Sequence, residues 1–141
     1  KYPMWRVFQW PSSDEMRHLK TFVLSEGRRY QDLAPCTDRI SPNQSAGPKG
    51  VAGWAYGAAT SEQDLLLLYF EKDCPQAAVA GAKANARYTA RWFDPRNGKW
   101  INIDVALVAD TSGQIALPPF PNRTARSDMD WALKLTLAGN R

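Results

Sequence analysis

The groups able to do acid–base or nucleophilic chemistry are few and scattered. Asp128 and Asp130 stand two positions apart, and Asp104 lies earlier in the chain. Glycoside hydrolysis needs two carboxyl groups roughly 5–10 Å apart across a sugar site, and nothing in the spacing marks such a pair. Asp128-x-Asp130 could also lend oxygens to a hard cation, which wants several, but a polar strand entry is the simpler reading. His18 is the single histidine. It has no serine, cysteine or aspartate partner at a recognisable spacing and reads as structural or surface. Cys36 and Cys74 fit neither a zinc spacing nor a C-x-x-C redox motif. They are either one disulfide of an exported protein or two separate thiols, because bridging needs Cα atoms within about 7 Å. No phosphate loop, dinucleotide fingerprint, zinc motif or serine-hydrolase elbow is present. The chain therefore reads as non-catalytic, with no metal and no cofactor of its own.

The aromatic residues are the remaining chemical resource. Six tryptophans are present: Trp5, Trp10, Trp54, Trp92, Trp100 and Trp131. Exposed aromatic rings stack on sugars or anchor protein interfaces, yet most must be core in a domain of this size. Trp92 and Trp131 fall on alternating apolar faces and are expected inside. Trp100 shares a strand face with Asn102 and Asp104 and is the first candidate for a ligand-binding ring. Phe93 and Arg91, on the face opposite Trp92, are the next candidates, with Asn102 beside them.

The element that must position these residues is the stretch Arg87–Ile103. Tyr88, Ala90 and Trp92 alternate with Arg87, Thr89, Arg91 and Phe93, the period of a strand with one buried face. Asp94-Pro95 suits the opening of a type I turn, and Asn97-Gly98 tolerates positive φ. The return run places Ile101, Ile103 and Val105 on one side, and Trp100, Asn102 and Asp104 on the other.

Ahead of this hairpin, Ser12 and Glu15 have capping-box spacing before a helix carrying Met16, Leu19, Phe22 and Val23. Gly27 is placed to close that helix. Tyr30–Ile40 reads as a connector and Ser41–Gly50 as an exposed loop. Val51–Ala58 and Asp64–Glu71 read as strands, the second apolar on both faces and so central. Ala77–Val79 and Gln114–Leu117 read as short strands, and Val105–Ala109 extends the hairpin's second strand. Pro118–Pro121 cannot lie inside a sheet, and Trp131–Leu137 is a final strand with one buried face. One leading helix followed by short strands and turns, without βαβ alternation, predicts a mainly β fold: an antiparallel β-sandwich with one N-terminal helix.

Bulk properties agree. The 141 residues are 44% hydrophobic and 23% charged, enough for one domain with a real core. No apolar run is long enough to span a bilayer. The first residues lack the h-region of a signal peptide, and a start at Lys1 rather than Met reads as a processed protein or a piece of a longer one. A net charge of +4 admits nucleic acid or an anionic surface as partner. The cations are dispersed, however, with Arg28-Arg29 and Arg123/Arg126 the only local concentrations.

The order of motifs resembles a known accessory domain. Met16–Pro35 (MRHLKTFVLSEGRRYQDLAP), Leu65–Lys72 (LLLLYFEK), Tyr88–Trp100 (YTARWFDPRNGKW) and Asp130–Leu137 (DWALKLTL) are similar to the C-terminal β-sandwich labelled a collagen-binding domain. That domain follows apiosidase-like glycoside hydrolase (β/α)8 barrels in secreted bacterial proteins. Arg91–Gly98, RWFDPRNG, is the most specific piece and is close to the family's R-W-[FY]-[DN]-P-R-[TN]-G. The chain departs from the family pattern in two longer stretches, Ser41–Gly50 and Val105–Arg126. The resemblance implies that residues 1–15 are the end of an upstream catalytic barrel, with Trp5, Phe8 and Trp10 left from its packing, and that residues 16–141 are the sandwich. It implies a secreted, periplasmic or cell-surface location. It also implies a non-catalytic partner of that barrel, binding collagen or polysaccharide. The alternative is a purely structural domain buttressing the barrel, which would show an exposed apolar patch at the docking place. A binder of nucleic acid or anionic surfaces is the less favoured third reading.

Overall fold

The computed structural model describes residues 11–43 and 53–139. Helix α1 spans Pro11–Val23. Proline suits this first helical position, since its missing N–H has no partner there anyway. The helix thus begins one residue ahead of Ser12, which lies inside the first turn and not in the expected capping place. Leu24–Glu26 form turns and Gly27 opens a 3-10 helix, Gly27–Asp32. The expected connector then carries β1 (Leu33–Pro35), a 3-10 turn (Thr37–Arg39) and β2 (Ile40–Ser41). Most of the loop expected at Ser41–Gly50 lies outside the described residues, as do Trp5, Phe8 and Trp10.

Eight further strands follow: β3 (Ala55–Thr60), β4 (Leu65–Phe70), β5 (Ala78–Val79), β6 (Arg87–Asp94), β7 (Lys99–Asn102), β8 (Leu107–Val108), β9 (Ile115–Ala116) and β10 (Trp131–Leu137). The larger sheet has the order β1-β3-β4-β10-β6-β7, with β8 also on β6; the smaller is β2-β5-β9. All pairings are antiparallel. The fold is the expected mainly β sandwich with one N-terminal helix.

Between the sheets lies the principal core. The larger sheet contributes Leu66, Leu68, Phe70, Tyr88, Trp92, Leu133 and Leu135, and the smaller contributes Ile40, Val79 and Ile115. Trp92 is the aromatic hub, within 5.8 Å of Phe70, 5.4 Å of Phe120 and 6.5 Å of Trp131 by ring centroids. Its indole N–H donates to the Pro119 carbonyl at 3.1 Å, so burial leaves no orphan donor. Both Trp92 and Trp131 are inside, as their alternation requires.

The larger sheet is covered on its other face as well. A second cluster joins Phe22 of α1 to Leu65, Leu67, Phe93 and Ala132. This cover corrects the reading of β10 as having one buried face. Ala132 and Lys134, on its outer side, are buried too, because β10 lies mid-sheet, with Ala132 in the cluster of Phe22 and Lys134 between Glu26 and the Trp100 ring. The return run of the hairpin is shorter than expected, since Val105–Ala109 does not extend it. Ile101 and Val105 are exposed; β7 is an edge strand ending at Asn102, and the chain swings out before β8 returns to pair with Arg87 and Tyr88.

Candidate functional site

The outer face of the larger sheet holds the chemistry. Registers place Arg91 opposite Asn102 and Phe93 opposite Trp100 across β6 and β7, and Lys134 of β10 opposite Arg91. The four expected ligand-binding residues are therefore brought together. Their accessibility differs from expectation. Phe93 is fully buried, because Phe22 of α1 sits 5.5 Å from its ring; it belongs to the core and cannot meet a ligand. Trp100 is only partly exposed. Its ring lies 4.8 Å from Phe93 and 5.8 Å from Phe22, with the Arg91 guanidinium at 4.8 Å and the Lys134 ammonium at 4.9 Å from its centroid. Such a ring is engaged by two cations and is no open stacking platform.

What stays open beside it is polar. Asn102 is exposed and Arg91 half-buried. The buried Nε of Arg91 has no acceptor among the described residues. The neighbouring cation is satisfied, since Lys134 is paired with Glu26. Arg91 nevertheless keeps part of its side chain in solvent, and a guanidinium can donate to carboxylate, sulfate or carbonyl oxygens, with a two-pronged fit to the first two.

The rest of the RWFDPRNG stretch is occupied internally. Asp94 accepts from the Arg96 backbone N–H (3.0 Å), from Arg96 Nε (2.7 Å) and Nη2 (2.9 Å), and from Asn97 Nδ2 (2.9 Å). Burial pushes the Asp94 carboxyl up, but these donors outweigh it and hold it below the usual carboxylate range. The Arg96 guanidinium then lies 4.7 Å over the Trp131 ring, and Gly98, with φ +71°, closes the turn onto Asp94. His18 of α1 contacts the Pro95 carbonyl at 3.0 Å through Nδ1. That makes the histidine a clasp between helix and hairpin, in keeping with a structural role.

On the other side of α1 the outer face opens into an apolar groove of about 950 Å³. Met16, Leu19 and Val23 line one wall, Tyr56, Ala58 and Leu67 the other. No sequence signal marked it, since its two walls come from segments some forty residues apart. Asp130 at its end accepts from the Tyr69 hydroxyl (2.7 Å) and the Lys72 N–H (2.9 Å), and Asp128 accepts from the Trp131 indole at 3.0 Å. Both carboxylates are thus spent at the strand entry. Among the described residues no cluster of three or more histidine, cysteine or acidic residues could hold a metal ion, and no helix is long and apolar enough to cross a membrane. Cys36 and Cys74 are separate, buried thiols.

The fold is a two-layer antiparallel sandwich in which Asp94, Asp128 and Asp130 serve a turn and a strand entry. The family model described as "Putative collagen-binding domain of a collagenase" matches residues 46–136, and the chain belongs to that family. No match was found among curated proteins. Among solved structures the chain is similar to one titled "Glycoside hydrolase", at 20% identity and a TM-score of 0.66, over 100% of this chain. It is also similar to a glycoside hydrolase family 5 protein from Bacteroides vulgatus ATCC 8482, at 19% identity and a TM-score of 0.64, over 96% of this chain. The chain spans only 28% and 26% of those two structures, so the likeness is one of fold to part of a longer protein.

Proposed function

We propose that the chain is a non-catalytic accessory domain of a secreted, glycoside-hydrolase-like protein, and that it binds an insoluble polymer, collagen or polysaccharide. The family match over residues 46–136 carries this reading. The binding strip is the outer face of β6 together with the edge strand β7, where the half-buried Arg91 guanidinium and the exposed Asn102 amide supply donors. Both ligand classes present carbonyl or hydroxyl oxygens for such donors. A polymer outside the cell requires export, which is why secretion belongs to the same proposal.

The test is co-sedimentation of the 141-residue chain with insoluble collagen and with a panel of plant and bacterial polysaccharides. Retention on one solid is expected, weakened about tenfold by Arg91→Ala, the scale of one charge-assisted hydrogen bond. No retention on any solid would overturn the binding claim. Retention that collapses with modest salt on every anionic surface would instead favour the electrostatic reading. That reading is the poorer one, because Arg29, Arg96 and Lys134 are each paired with a carboxylate.

A further inference from the structure

We propose that the groove between α1 and strands β3 and β4 is the seat of the catalytic domain of the same polypeptide. The proposal rests on the accessory-domain reading and adds to it the surface by which the two domains are joined.

The first observation is an unfinished helix face. An amphipathic helix buries its apolar stripe against its own domain. Among the described side chains of α1 only Phe22 is buried, while Met16 and Leu19 are 66% and 40% exposed, and Tyr56 across the groove is 46% exposed. Large apolar side chains gathered on two facing walls mark an interaction surface more than they mark ordinary scatter.

The second observation is the chemistry of the walls. A sugar needs hydrogen-bonding groups around its aromatic contacts, and the groove's two phenols are already committed. Tyr69 donates to Asp130 at 2.7 Å and Tyr56 to Glu71 at 3.3 Å. The rim carries both signs, Glu15 and Asp130 against Lys72 and Arg96, which offers no field to a polyanion. An apolar floor with a mixed polar rim is the anatomy of a protein interface.

The third observation is the placement of the helix that makes the wall. Met16 lies five residues into α1, about 8 Å along a helix rising 1.5 Å per residue. A domain joined ahead of residue 1 would thus be tethered to this wall through no more than fifteen residues of sequence, which keeps it within reach of the groove. Tethering of that kind gives an effective concentration in the millimolar range, so an interdomain contact of ordinary size, roughly 600–1,500 Å², is enough. The similar solved structures keep about three quarters of their length outside the matched part, which supplies such a domain.

The experiment compares hydrogen exchange of the 141-residue chain with that of the longer polypeptide containing it. In the longer polypeptide, exchange across residues 15–23 and 56–58 is expected to slow at least tenfold, with the Arg91–Asn102 strip unchanged. The pair Met16→Glu and Leu19→Glu keeps good helix formers at exposed positions. It should leave the melting temperature of the 141-residue chain unchanged and abolish the protection in the longer one. Equal exchange in both proteins, in a longer polypeptide that hydrolyses glycosides, overturns the docking surface alone. A longer polypeptide with no hydrolase activity overturns the accessory-domain reading itself. Concentration-dependent dimers of the 141-residue chain that the pair dissolves would assign the groove to a second copy. Loss of polymer retention in the pair would assign it to the ligand. Either of the last two also overturns the proposal.

Discussion

At the scale of single residues, several charged groups of this domain are spent on structure. Asp64 is one of them. It accepts from Arg29 at 2.7 Å and from the Thr60 hydroxyl at 2.6 Å, and the Arg29 and Thr60 donors lower its carboxyl from 3.8 to about 2. A folded-state value below the unfolded one adds stability that is fully present above about pH 5 and is lost as pH falls through about 2. Urea titrations between pH 7 and pH 2 should show an acid decline that Asp64→Asn reduces. The part removed should be on the order of 1 kcal/mol, because water screens this pair. An unchanged acid limb in the variant would show the pair to be inert. Lys134 is harsher. Its side chain is 8% exposed and its ion-pair partner is Glu26. Glu26→Ala leaves that ammonium buried with only the Trp100 face as company, at a cost of about 2–4 kcal/mol in urea unfolding. Adding Lys134→Met should recover most of it, since the buried charge is then gone. A double variant no more stable than the single would place the loss elsewhere.

At the scale of elements, local pattern was legible and long-range cover was not. The turn at Asp94–Gly98, the β6–β7 pairing, the central place of β4 and the burial of Trp92 all follow from periodicity and turn chemistry within a few residues. Phe93 did not follow. In sequence it is the outward residue of an alternating strand, and it is α1, some seventy residues earlier, together with the Trp100 ring that buries it. The same helix turns Trp100 from a free ring into a half-covered one, and Lys134 is enclosed between that ring and Glu26, just beyond the helix. Of the candidate strip, then, the strand pairing that brings Arg91, Phe93, Trp100 and Asn102 together could be read in advance, but not which of them faced water. Helix α1 is held chiefly by Phe22 and the His18–Pro95 contact. Phe22→Ala should cost about 3 kcal/mol, shift tryptophan emission to the red as Trp100 is uncovered, and reduce helical ellipticity while the β signal persists. Loss of both signals together would mean that helix and sandwich fold as one cooperative unit.

For the molecule as a whole, the two faces of the larger sheet have separate guards, and the thiols report on only one of them. Cys36 and Cys74 lie in the core between the sheets, 1% and 0% exposed. Burial raises both thiols, Cys74 to about 11, so at pH 8 neither offers much thiolate, the form that reacts. Cys36 is also tightly boxed: a Cβ added at Gly57 would meet its Sγ at 3.0 Å and the Leu68 side chain at 3.0 Å. A disulfide reagent should therefore label neither thiol in the native protein, and in urea both should react at a rate set by the unfolded fraction. Phe22→Ala tests the separation of the faces. It strips the outer face without touching the sandwich interior, so labelling should accelerate only by the factor that its measured loss of global stability predicts. Acceleration beyond that factor would show that releasing α1 opens the sandwich, and that the helix closes the whole domain and not merely one side of a sheet. The distinction bears on how the module works beside a larger partner. If the faces are independent, a neighbouring domain can take hold of α1 and the groove while the β6–β7 edge keeps its geometry for a ligand. If they are coupled, occupancy of the groove would change what that edge can bind.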